Sequence, residues 1–252
     1  MKIASLSKLI LLAVIVAFAG SVGPAAQQSK AKPAQQSKPL FSEDFESGAI
    51  NPNVWTLNIT GANTIQVQSD KVAHGKFALL VRCPVPANST HAFLMAKNLP
   101  EALQQHHFGR AYVYITPVVP DRHTVFIMTG TAGFPKSKFF EVATAHNKFQ
   151  TTFTNQIDGG EDWHPGTAIP LGRWFLLEWE FNDHPDQETL WVDGEKIMDT
   201  PFTYKSTTQS SDLIGAFTDV AFGFLLRGAA PVPFDIYYDD IALDTHRIGP
   251  VK

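Results

Sequence analysis

The chain is poor in cysteine, in helical periodicity and in positive charge. One Cys, Cys83, stands among 252 residues, which excludes a fold held by internal disulfides. Apolar residues at helical spacing are almost missing, and the best helical stretch is the short Pro100 to Gln105. Without crossover helices a parallel α/β sheet is excluded. Twenty basic residues face twenty-four acidic ones with no basic patch, so nucleic acid is not an expected partner.

What is present begins with an export signal. Lys2 and Lys8 precede an apolar run from Leu9 to Ala19, which is too short to span a bilayer comfortably. Small residues then offer cleavage sites at Ala17-Phe18-Ala19 and at Gly23 to Ala26. Residues 1–26 therefore read as a signal peptide and the protein as secreted, extracellular or periplasmic, with no membrane partner after cleavage. Residues 27–39 repeat Ala-Gln-Gln-Ser-Lys and carry no large apolar group before the next segment, so they read as a flexible polar linker. Residues 40–252 form one domain by length. Without the two signal lysines the chain keeps 18 basic against 24 acidic residues, a net charge of −6. A monomer is expected. An exported domain without disulfides needs a large core or a metal, and 19 Phe and 5 Trp supply the core.

The domain reads as short strands between Gly, Pro, Asn and Asp clusters. They are expected at Phe77–Arg82, Gly109–Ile115, His123–Met128, Lys138–Ala143, Lys148–Thr154, Trp174–Phe181, Glu188–Val192, Val220–Leu226 and Phe234–Leu243. Ten or more strands without helices imply an all-β antiparallel sandwich. Alternation places Phe175, Leu177, Trp179 and Phe181 on a core face and Trp174, Leu176, Glu178 and Glu180 opposite. Arg110, Tyr112 and Tyr114 likewise share a face. Aromatic and charged groups on a non-core face suit sugar recognition, because rings stack on sugar faces and polar groups bond hydroxyls. The segment Asp158 to Pro165 reads as a Gly-rich acidic loop ending in Trp163, either a sugar-stacking lid or a plain hairpin loop.

Three segments carry a family resemblance. The first is Leu171 to Trp179 followed by Leu190-Trp191-Val192-Asp193-Gly194-Glu195, a hairpin with a tight Asp-Gly turn. The second is Phe41 to Gly48 with Trp55 and His74 to Leu79. The third is Ile236 to Leu243 with Arg247-Ile248-Gly249 behind it. In this order, with Arg122 to Ile127 between them, they resemble the cellulose-induced-protein core domain, a polysaccharide-lyase-like, concanavalin-like jelly roll akin to glucuronan lyases. The resemblance implies a structural Ca2+ ion tying the first strand to the last, held by Glu46 and by Asp239 or Asp240. Backbone oxygens near Ser69 to Lys76 would complete its shell, and Asp70 could add a side chain.

The resemblance also implies polysaccharide β-elimination on a uronic-acid-containing glycan. That chemistry needs a base for the C5 proton, an acid for the leaving oxygen and a group that neutralises the substrate carboxylate. His123 is the expected base, Arg110 or Arg122 the neutraliser, and Tyr112, Tyr114 or Tyr237 the acid. Glu141 stands where the family tends to carry Arg and would repel a uronate, with Gln150 or Gln156 as substitutes. Glu141, Gln150, Trp163, Glu178 and Trp191 are the expected substrate-binding residues. An acidic cleft of Glu141, Glu178 and Glu180 would instead suit a neutral glycan. Two alternatives stand beside the lyase. One is a non-catalytic carbohydrate-binding jelly roll. The other is a glycoside hydrolase, for which Glu178 and Glu180 have the i, i+2 spacing that sets both carboxylates on one face.

Overall fold

The structure is a computed structural model that describes residues 38–84, 87–96, 98–117, 124–130, 138–155, 160–203, 216–230 and 232–251. The expected signal peptide, the linker up to residue 37 and His123 lie outside the described residues.

Fifteen strands, numbered in chain order, form two antiparallel sheets among the described residues. The eight-stranded sheet runs β13 (Glu195–Pro201), β12 (Asp186–Val192), β11 (Trp174–Asp183), β6 (His106–Ile115), β15 (Phe234–Asp244), β4 (Ala78–Cys83) and β3 (Thr64–Gln68), and β1 (Phe41–Glu43) pairs with β15. The seven-stranded sheet runs β10 (Gly160–Ala168), β9 (Lys148–Asn155), β8 (Lys138–Ala145), β7 (Thr124–Gly130), β14 (Asp219–Ala230), β5 (Ala87–Ala96) and β2 (Trp55–Ile59). This is the expected all-β jelly-roll sandwich. The expected helical stretch is a single 3-10 turn at Glu101–Leu103.

Alternation decides which side chains the sheets share. Phe175, Leu177, Trp179 and Phe181 of β11 and Ala111, Val113 and Ile115 of β6 pack in one core with Phe140, Phe153 and Phe222 of the other sheet. Gly109 lies opposite Trp179 in register, and a Cβ there would come within 2.0 Å of the indole. The sheets are also tied by Tyr238 of β15. Its hydroxyl lies 2.6 Å from the carbonyl of Phe126 and 2.7 Å from that of Gly223, and it accepts the Gly223 N–H at 3.1 Å.

The Asp193-Gly194 turn behaves as its sequence suggests. Both residues take positive φ, 51° and 87°, the backbone that a two-residue hairpin turn needs. The Asp193 carboxylate also accepts the Leu176 N–H and pairs with Arg173. One expectation is corrected. Residues 160–165, read as part of a loop, belong to strand β10 (Gly160–Ala168) at the sheet edge, paired with β9. Its glycines and Pro165 argue against a strand, but an edge strand has one side that makes no ladder bonds and so tolerates proline.

Among the described residues, Glu188 and His107 are buried ionisable groups that carry side-chain atoms without a hydrogen bond. Glu188 of β12 faces inward beside Phe181, is fully buried, and neither of its oxygens is hydrogen-bonded. Burial, with a smaller push from the Glu141 charge, raises its carboxyl well above the ordinary value. His107 of β6 meets the Leu103 carbonyl through Nδ1, but Nε2 has no partner, and burial pulls its pKa down to about 4.

Candidate functional site

The expected site residues fall on two opposite faces of the sandwich. Arg110, Tyr112, Tyr237, Glu178 and Trp191 stand on the outer face of the eight-stranded sheet, where Glu178 pairs in register with Arg110 and Trp191. Glu141, Gln150 and Trp163 belong to the seven-stranded sheet. Among the described residues the two sets lie on different sheets.

The first set is occupied by the protein itself. The C-terminal segment crosses this face. Arg247 clasps Glu178 at 3.0 and 2.6 Å and lies 4.6 Å over the Trp191 ring. The Gly249 N–H donates to Glu178, and the Gly249 carbonyl accepts from Arg110. Glu180 is held by His106 at 2.7 Å. Tyr112 packs edge-on against His74, and Tyr237 packs against Tyr114 and Trp174, with the Lys71 ammonium 4.1 Å from the Tyr114 ring. On this face the chain's own last residues cover Glu178, Trp191 and Arg110. Glu178, one of the two carboxylates of the hydrolase alternative, accepts from Arg247 and from the Gly249 N–H.

The carboxylates expected to hold calcium lie together around one loop. β1 pairs with β15, so first and last strands are neighbours. Asp239 accepts the N–H groups of Ala73 and His74 through Oδ2 and that of Asp240 through Oδ1. Burial nevertheless pushes its pKa up to about 6. Glu46 accepts the N–H groups of Lys76 and Phe77 through Oε1, and these bonds hold its carboxyl below the ordinary value. The carboxylate lies so close to Gly75 (φ 63°) that a Cβ there would be 2.3 Å from Oε1. Asp240 takes a left-handed backbone (φ 49°) at a bulge in β15 and meets His74 at 2.6 Å through Oδ2. Calcium takes oxygen ligands. Asp239 accepts three N–H bonds, and the side-chain oxygens here that accept none are Glu46 Oε2 and Asp240 Oδ1.

The outer face of the seven-stranded sheet is different. Trp163, Thr152, Glu141 and Met128 lie side by side across β10, β9, β8 and β7. The neighbouring row is Glu161, Thr154 and Phe139, and the row on the other side is Pro165, Gln150 and Ala143. Trp163 is the most exposed large apolar side chain described, at 58%. Glu141 is fully buried. It accepts from Arg227 Nη2 at 2.9 Å and from the Thr154 hydroxyl at 3.2 Å. Arg227, on β14, also reaches the exposed Glu161 through Nη1 at 3.2 Å, while its Nε is without a partner. The Thr152 hydroxyl, between Trp163 and Glu141 in register, is buried and unpartnered too.

Arg227, Glu161 and Thr152 were not among the expected residues. Arg227 lies one residue beyond the expected strand end at Leu226, and Glu161 lay in the presumed loop. Extending alternation along both strands would have found them. Asp219, at the start of β14, is pushed up to about 6 by burial.

No family model and no curated protein matches the sequence. Solved structures do match in fold. The cellulose induced protein Cip1 is 17% identical, with 84% of this chain and 100% of that chain covered at a TM-score of 0.64. The endo-β-1,4-glucuronan lyase from the fungus Trichoderma reesei is 14% identical over 83% of this chain and 96% of that one, TM-score 0.60. The carbohydrate esterase vb_24B_21 from the Shiga toxin-encoding bacteriophage phi24B is 18% identical over 82% and 97%, TM-score 0.54. At these identities the likeness is one of fold, and the chain is a jelly roll of the kind found in the cellulose induced protein and the glucuronan lyase.

Proposed function

We propose that this chain is an exported, polysaccharide-active jelly roll that seats a glycan on the outer face of its seven-stranded sheet. The observation that carries the reading is Trp163, an exposed indole set in register with a buried hydroxyl and a buried carboxylate. A ring offers stacking area, and flanking polar groups fix orientation. On the opposite outer face the C-terminal segment already covers Glu178 and Arg110. The names of two proteins of this fold, a cellulose induced protein and a glucuronan lyase, support the substrate class. Secretion through residues 1–26, a linker at 27–39 that gives reach to an insoluble polymer, and a monomeric state belong to the same proposal.

A calcium ion belongs to it as well, at Glu46, Asp240 and the carbonyls of the loop before Phe77, where it would add to the direct bonds that already fasten the loop. β-Elimination on a uronic-acid polymer is the second reading, favoured by the fold shared with the glucuronan lyase. In it Arg227 takes the neutralising role first sought at Arg110 or Arg122, and His123 remains the base.

The test is a panel of polysaccharides in affinity electrophoresis, run with wild type and Trp163→Ala. Retardation of wild type by a glycan, lost in Trp163→Ala, supports the seat. Equal mobility of both on every glycan overturns it. Incubation of wild type with uronic-acid polymers and calcium tests the second reading, through the absorbance of the unsaturated product. No rise on any of them removes it.

A further inference from the structure

We infer that the chain carries a second glycan site, apart from the Trp163 seat, on the outer face of the eight-stranded sheet, and that this site takes an acidic sugar through its carboxylate. Trp174, Tyr114 and Tyr237 lie side by side there, in one row across β11, β6 and β15. The C-terminal segment does not cross this row. Its contact Arg110 lies four residues back along β6, about 13 Å away. β12 pairs with β11 only from Leu177 onward, so among the described residues Trp174 has no strand neighbour on its other side.

Lys71 sets the chemistry of the row. Its ammonium sits 4.1 Å from the centre of the Tyr114 ring and 5.7 Å from that of Tyr237. Rings hold a cation in place without neutralising it. Among the described residues no carboxylate pairs with this ammonium. Asp235, in the next row, is clasped by Arg82 at 2.9 and 2.8 Å, and Asp239 accepts backbone N–H groups. Asp70, next to Lys71 in the chain, makes no ion pair with it. The Trp174 indole N–H and the Tyr114 hydroxyl make no hydrogen bond within the protein either, and both atoms reach solvent. An ammonium and an indole N–H only donate. Accessible donors in a row of rings suit a ligand that brings acceptors on an apolar ring face, which an acidic sugar does. A single ammonium matches the single charge of a carboxylate. A second observation is independent of Lys71. A cavity of about 310 Å³ opens at the adjoining row, lined by Arg82, Thr116, Phe234 and Asp235 among others. Tyr237 joins it to the rings through its hydroxyl, 3.4 Å from Asp235. That volume is at the lower end of small-ligand sites. Arg82 meets Asp235 through Nε and Nη2, which leaves Nη1 to a ligand.

The experiment is calorimetric titration of the full chain with oligoglucuronate and with a sulfated oligosaccharide, at two ionic strengths, with melting curves in parallel. Wild type should bind oligoglucuronate, and more weakly at the higher salt. Lys71→Met keeps the apolar stem on Tyr114 and removes the charge, and Trp174→Ala removes the open ring. Each should weaken oligoglucuronate binding several-fold with little change in melting temperature, since both side chains are partly exposed. Lys71→Arg keeps the charge and should keep most of the affinity, a rescue that a purely structural lysine would not show in binding. Trp163→Ala should leave oligoglucuronate binding in place, which separates this site from the seat. Absence of oligoglucuronate binding, or binding undiminished in Lys71→Met, overturns the inference and leaves the Trp163 seat standing. Binding lost in Trp163→Ala but not in Lys71→Met or Trp174→Ala also overturns it, because the acidic chain then sits at the seat. A sulfated chain that binds through Lys71 more tightly than oligoglucuronate overturns the carboxylate assignment.

Discussion

Arg227 donates to Glu141 at 2.9 Å, and the acceptor carboxylate is wholly inaccessible while the arginine stays partly open to solvent. This pair sets the character of the outer face of the seven-stranded sheet. A buried carboxylate without its cation is costly, because its desolvation is no longer offset. Arg227→Ala is therefore expected to destabilise the fold by about 3–5 kcal/mol, read from denaturant unfolding. Glu141→Gln in the same background should recover much of that loss. A loss below about 1 kcal/mol would mean that the pair is solvated, like an ordinary surface bridge.

Two interior groups give the stability a pH dependence. Glu188 has its folded pKa raised above the ordinary 4.5, so its contribution is fully present below pH 4.5 and is lost as pH rises toward the folded value. Glu188→Gln should raise the melting temperature at pH 7, by about 2–4 °C for each kcal/mol recovered in a domain of this size. The gain should vanish below pH 4.5. His107 works in the opposite sense. Its folded value near 4 against an ordinary 6.5 makes its contribution present above pH 6.5 and lost as pH falls from 6.5 to 4, by about 3 kcal/mol. A pH-independent effect of Glu188→Gln contradicts the buried, partnerless carboxylate.

The strand pairing of β6 and β11 depends on an absent side chain. Trp179 lies across Gly109, where a Cβ would stand 2.0 Å from the indole. Gly109→Ala must push back the largest fully buried ring of the core. It is expected to cost about 1–3 kcal/mol, measured by chemical unfolding, and a neutral effect would contradict the packing.

The loop from Ala73 to Phe77 is fastened by N–H bonds to Asp239 and Glu46. The fold should therefore persist in chelator. If calcium also binds at Glu46 and Asp240, added calcium should raise the melting temperature, since an ion bound only by the folded state stabilises it. Identical melting curves in chelator and in millimolar calcium contradict the ion.

Much of the fold can be read from alternation and turn chemistry. The nine expected strands all appear, within a few residues at each end. The split of β11 into a core row and an outward row is as read, as is the Asp193-Gly194 turn. Strands β1, β2, β3, β5 and β13 are not among those nine, and two further features escaped for physical reasons. Alternation tells inside from outside, but not which of two sheets a strand joins. Arg110 and Glu141 both point outward, and their outward faces lie on opposite sides of the sandwich. Nor does it reveal β10, whose Gly160, Gly166 and Pro165 carry loop propensities that edge pairing overrides. The central strands of the seven-stranded sheet are buried on both faces, so Glu141 gives no polar–apolar rhythm to follow. Its partner Arg227 is eighty-six residues away in sequence, and only the folded sheet brings them together.

The most direct test of the glycan seat is binding of wild type and Trp163→Ala to a neutral oligosaccharide, with melting curves run in parallel. The account predicts that Trp163→Ala loses most of the affinity while its melting temperature stays within a degree or two of wild type, because the indole is exposed. Undiminished binding by a normally folded Trp163→Ala would contradict it.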